Sequence, residues 1–167
     1  AWIQLFSLLG LAKVQRVAPI AHRIEGKRQL DMDTAMAILN NRFQIMAQYR
    51  KLVIVPLVRQ ELGRADATLR HQLRRAKRLL AREPSLLQQE QQAHIDDMLA
   101  QSQSLKVIYE KRLALQQIWT RTSSNGHEML AAIKQWVHEA EASGIQSLRE
   151  FAEHLRTYSL RPSVAIA

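Results

Sequence analysis

A chain of 167 residues with only five glycines and four prolines is long enough for one domain with its own core. With no cysteine it can form no disulfide, no thiolate nucleophile and no Cys-ligated zinc or iron–sulfur site. A net charge of +9 and a pI near 10.5 point to an anionic partner: nucleic acid, anionic lipid or an acidic protein.

Leu, Ala, Gln, Arg and Glu dominate, and they lose little freedom on entering a helix, while strand-favouring residues are few. The expected fold is all-α: an irregular antiparallel bundle of five to six helices with a short apolar N-terminal helix. No apolar run reaches the roughly 18 residues a bilayer span requires. The expected divisions are a docking or membrane-proximal helix over 1–16, a polar linker over 17–30, a helical domain over 31–160 and a disordered tail over 161–167.

The chain opens without Met and in the middle of an apolar pattern, as if continuing a longer protein. Trp2, Ile3, Leu5, Phe6, Leu8, Leu9 and Leu11 cover most of a short helix, and Lys13 and Arg16 follow it. Trp2 and Phe6 are candidate interfacial anchors, with Lys13 and Arg16 beside anionic headgroups. Asp31 and Asp33 then supply the cap and first-turn charge of a long helix. Along it Met36, Ile38, Leu39, Phe43, Ile45, Met46, Tyr49, Leu52 and Val53 recur at helical steps. Pro56 lacks an amide donor and is expected to kink or interrupt it, and Gly63 to stop it.

A second helix is predicted from Asp66 to Arg82, with Leu69, Leu73, Ala76 and Leu80 on one face. Ser85-Leu-Leu-Gln88 has the form of a capping box for a third helix carrying Leu86, Leu87, His94, Ile95, Met98 and Leu99. A fourth covers Ser104 to Thr120, its continuity with the third left open by the weak break Ser102-Gln-Ser104. Ser123-Ser-Asn-Gly126 is a loop, and Asn125 with Glu128 opens a fifth helix bearing Met129, Ile133, Trp136 and Val137. Ser143-Gly144 ends it, and Ser147 with Glu150 forms a further capping pair before Leu148, Phe151, Ala152, Leu155 and Tyr158.

Little in this pattern carries chemistry. No two of the six histidines are three or four residues apart, so no helical imidazole pair can share a metal. Glu90, His94 and Asp97 align on one face, but a single helix leaves a metal under-coordinated, and such charge pairs are ordinary helix surface. No glycine-rich phosphate loop and no nucleophile elbow occurs.

The one candidate surface is the stripe Arg70, Arg74, Lys77, Arg78 and Arg82 opposite the leucines, with Arg64 and Arg75 nearby. It suits nucleic-acid phosphates or anionic headgroups, or simply a solvated face paired with a neighbour's carboxylates. It holds no interleaved aromatic for base stacking. Trp119 and Trp136 lie on apolar stripes and are expected in the core.

Two stretches resemble known proteins. Trp2-Ile-Gln-Leu-Phe-Ser-Leu-Leu-Gly-Leu-Ala-Lys-Val-Gln-Arg-Val-Ala-Pro19 is similar to the passage after the last histidine box of bacterial membrane fatty acid desaturases. The stretch from Trp136 to Ser159, with Arg42 in Leu39-Asn-Asn-Arg-Phe and Tyr49, resembles the helical C-terminal extension of some of them. The resemblance implies a parent enzyme that inserts a double bond into an acyl chain with a histidine-ligated diiron centre and molecular oxygen. This chain carries none of the histidine boxes. It would be a non-catalytic domain holding no cofactor, on the cytoplasmic side of the bacterial inner membrane, with the upstream membrane domain and anionic lipid as partners.

The ending Trp136-x-x-x-Ala-x-Ala-Ser-Gly-Ile-x-x-Leu-x-x-Phe151 also resembles the helical C-terminal region of bacterial insertion-sequence transposases, which implies nucleic-acid binding. A third alternative is a helical scaffold or homo-oligomerisation domain. The apolar lead followed by Lys13 and Arg16 has no evident use in a transposase, so the desaturase resemblance is the leading expectation.

Overall fold

Asp31 starts the first helix, its carboxylate accepting from the Thr34 amide at 2.8 Å. The computed structural model describes residues 29–121 and 125–158, and every regular element among them is helical, as the composition predicts. In chain order these are α1 (Met32–Asn40), α2 (Arg42–Tyr49), a π-helical turn (Arg50–Ile54), α3 (Val55–Leu62) and α4 (Ala67–Leu79). After a 3-10 turn at Pro84–Leu86 come α5 (Gln89–Gln101), α6 (Gln103–Arg121), α7 (Gly126–Ala142) and α8 (Gln146–Arg156). The expectations placed on residues 1–16, including Trp2, Phe6, Lys13 and Arg16, and on the tail from 161 lie outside the described residues.

The single long helix expected from Asp31 is divided at Asn41, whose side-chain amide donates to the Ala37 carbonyl at 3.0 Å. That bond competes with the helical ladder and ends α1. Pro56 does not stop the next rod. The π turn just before it widens the helix, which relieves the clash of a proline ring with the carbonyl four residues back. Gly63 caps α3 as expected.

Helix α4 is shorter than predicted, ending at Leu79, and the chain turns through residues 80–83. Ser85 opens no helix. Leu87 is extended, and the capping box is formed three residues later by Gln88 and Gln91. Leu86 is consequently 73% exposed rather than inward. Ser102 is non-helical and separates α5 from α6, its hydroxyl accepting from the Leu105 amide and donating to Glu61.

Asn125 caps α7 through the His127 amide. The turn into α8 uses Gly144 at φ 75°, a left-handed conformation that a side chain would strain. The Ser147–Glu150 capping box does not form. Helix α8 starts at Gln146, which places Ser147 inside its first turn, donating to the Val53 carbonyl at 3.4 Å.

The core lies where α2, α6, α7 and α8 meet. Tyr49, Trp136 and Phe151 pack edge to face, with ring centroids 5.1 to 6.4 Å apart. Two of the rings also fasten α6. Tyr49 donates to the Ile108 carbonyl at 2.6 Å, and Trp136 Nε1 donates to the Lys111 carbonyl at 2.8 Å. Burial pushes the Tyr49 phenol well above its usual range, so it remains a neutral donor. Leu30 is buried as well, so the core begins inside the segment expected to be linker.

Candidate functional site

Asp66 caps α4 at 2.8 Å through the Leu69 amide, and Leu73, Ala76, Leu79 and Leu80 are buried against the rest of the bundle. Burial of that face turns the opposite one outward. On it His71, Arg74, Arg75, Arg78 and Arg82, with Gln91 from α5, line a groove of about 440 Å³.

Three of the five predicted cations, Arg74, Arg78 and Arg82, therefore share one concavity. Arg70 does not, because its guanidinium donates to the Leu62 carbonyl at 3.2 Å, toward the end of α3. Lys77 is half-buried and does not line the groove. His71 was not anticipated, although the steps 71, 74/75, 78 and 82 give its signal: one side chain per helical turn.

No carboxylate among the described residues lies within ion-pair distance of these arginines. Ion pairs form elsewhere, between Lys111 and Glu139 and between Arg156 and Glu141. Among the described residues, then, the positive charge of the groove has no ion-pair partner.

One arginine is used differently. Arg112 of α6 is 6% exposed and donates to the Ala81 carbonyl at 2.8 Å and the Arg82 carbonyl at 3.3 Å. Burial lowers its pKa, opposed by the nearby Glu83 carboxylate. It holds the turn that carries Arg82. Beyond that turn lies a second concavity of about 520 Å³, between α2, α6 and the turn. Phe43, expected inward, stands on its rim 79% exposed, and Trp119 is only half-buried there, whereas Trp136 is in the core as expected.

His94 is engaged within the fold. Its Nε2 donates to the Gln72 carbonyl at 3.0 Å, tying α5 to α4. No group of three His, Asp or Glu suited to a metal ion occurs among the described residues.

Fold and site together define a basic, all-helical unit with an arginine groove open to solvent. The chain belongs to the ISL3 transposase family, whose sequence model matches residues 32–161. It is also similar to the transposase for insertion sequence element IS1001 of Bordetella parapertussis, at 26% identity over 158 residues, 92% of this chain. The chain spans 38% of the length of that relative. No solved structure matches.

Family membership overturns the desaturase expectation and with it the oxidoreductase activity, lipid metabolism and placement at the inner membrane. The diiron centre had entered only through that resemblance. No helix among the described residues is long and apolar enough to cross a membrane.

The physical reason for the misreading is visible in α7 and α8. Among the residues from Trp136 to Phe151 that carry both resemblances, Trp136, Ala140, Leu148 and Phe151 are buried positions of a helical hairpin, while Ala142 and Gly144 are exposed. Of the two resemblances on this hairpin, the family match supports the transposase one. The apolar lead, which favours the desaturase resemblance, lies outside both the described residues and the family match.

Proposed function

We propose that this chain is a DNA-binding part of a transposase that holds the phosphate backbone in the α4 groove. The observation carrying this reading is the convergence of Arg74, Arg75, Arg78 and Arg82 on one concavity with no carboxylate among the described residues to neutralise them. Family membership supplies the class of partner. Guanidinium groups suit phosphate because their planar fork of donors matches its oxygens, and each neutralised phosphate releases counterions. Contacts of this kind position DNA without reading its sequence.

Fluorescence anisotropy with a short duplex across a salt series tests it. The chain binds at about 50 mM salt, and the logarithm of its affinity falls linearly with that of salt. The double variant Arg74→Gln/Arg78→Gln loses affinity and flattens the slope by about 2, close to one per phosphate contact removed. Its unfolding free energy in urea changes by less than about 0.5 kcal/mol, because both residues are exposed. Absence of binding at low salt, or an unchanged slope in the double variant, would refute the proposal.

A further inference from the structure

The cleft beside the groove has a different chemistry. Phe43 presents most of its ring to solvent, and the Arg42 guanidinium sits 4.7 Å from its centroid. Arg42 is itself anchored by donation to the Leu39 carbonyl at 3.2 Å. Trp119 supplies a second, half-buried aromatic wall, and Glu83 and Gln116 supply the polar one. Gln116 donates its amide N–H to the Glu83 carboxylate, while its own amide oxygen is buried with no hydrogen-bond donor among the described residues. Aromatic faces and an anchored guanidinium suit a flat, π-rich group.

The cleft and the groove share a wall. Arg82 lines the groove, the next residue, Glu83, lines the cleft, and Arg112 lines the cleft while bonding the Ala81 and Arg82 carbonyls. The turn through Arg82 and Glu83 thus leads from the groove to the cleft that Phe43 and Trp119 line.

We propose that this cleft takes one unpaired nucleobase of the bound DNA, stacked against Phe43 and Trp119. The proposal rests on the groove's binding the backbone. A base inside a perfect duplex has both faces covered, so the cleft distinguishes DNA with an unstacked base from fully paired DNA.

The test compares a perfect duplex with the same duplex carrying one unpaired adenine, using the intact chain and Phe43→Ala. Phe43 is mostly exposed, so its loss leaves the fold in place. The intact chain prefers the bulged DNA. Phe43→Ala weakens binding to bulged DNA by about five- to a hundred-fold, the span of base–aromatic stacking, and leaves duplex affinity and salt slope unchanged.

Equal affinity of the intact chain for both DNAs overturns the cleft proposal, as does a Phe43→Ala variant that binds bulged DNA like the parent. If duplex binding still responds to Arg74→Gln/Arg78→Gln in those cases, the groove reading stands without it. Binding to neither DNA removes both. A concentration-dependent self-association abolished by Phe43→Ala, with DNA binding untouched, would assign the cleft to a second copy of this chain instead.

Discussion

Arg112 and Arg78 are the same residue type with opposite situations. Arg112 lies in the seam between α6 and the turn after α4, 6% exposed, with its donors directed at two backbone carbonyls. Arg78 stands on the outer face of α4 with no carboxylate partner among the described residues. In the interior, Tyr49, Trp136 and Arg112 all donate to backbone carbonyls. On the outer face Arg74, Arg78 and Arg82 have no carboxylate partner among the described residues. Residue type alone therefore does not say whether an arginine builds the protein or serves its partner. Burial and the location of acceptors do.

The largest way to break this contrast is to empty part of the interior. Trp136→Ala removes a buried indole from the ring cluster together with its bond to Lys111, and is expected to cost about 3–5 kcal/mol in urea denaturation. A smaller loss would mean that α7 repacks over the cavity. Arg112→Met keeps much of the aliphatic packing but deprives the Ala81 and Arg82 carbonyls of their donors. It is expected to cost about 2–3 kcal/mol, far more than neutralising any groove arginine. An effect under about 0.5 kcal/mol would erase the distinction between the two regions.

The smallest effect is at the rim of the interior. The hydrogen bond from Lys111 holds the Glu139 carboxyl below the usual carboxylate range. A pKa lowered by folding contributes stability that is present above the unfolded value, about 4.3, and is lost as pH falls through the folded value. Glu139→Gln should slightly flatten the dependence of the urea midpoint on pH in the acid range. An unchanged profile would show that this exposed pair contributes nothing measurable, as many do.

Much of the architecture was legible because amphipathic spacing and caps act locally. Asp31, Asn125 and Gly63 end or begin helices where the sequence predicts, and the stripes through Leu73, Ile133 and Leu148 face inward. Ser85 and Ser147 were misleading for a shared reason. Each has a residue with cap-box chemistry three positions on, but the backbone around it was set by other demands: an extended Leu87 in one case, a bond to Val53 in the other. The arginine groove was half legible, since helical periodicity places Arg74, Arg78 and Arg82 together but cannot show Arg70 drawn off to Leu62. The aromatic cleft was not legible at all. Phe43 and Trp119 are distant in sequence from the stripe and from each other, and only the folding of α2 against α6 brings them beside Glu83.

The seating of Arg112 has a consequence for how tightly anything can be held outside. A surface arginine on a loose turn must be immobilised when a ligand arrives, and the lost freedom is subtracted from affinity. Here the turn bearing Arg82 is fastened from within by a residue of α6, so its backbone is already ordered before contact. The groove and the cleft meet at this corner, so DNA bound as proposed would encounter an angle that Arg112 already holds rather than one that must be assembled.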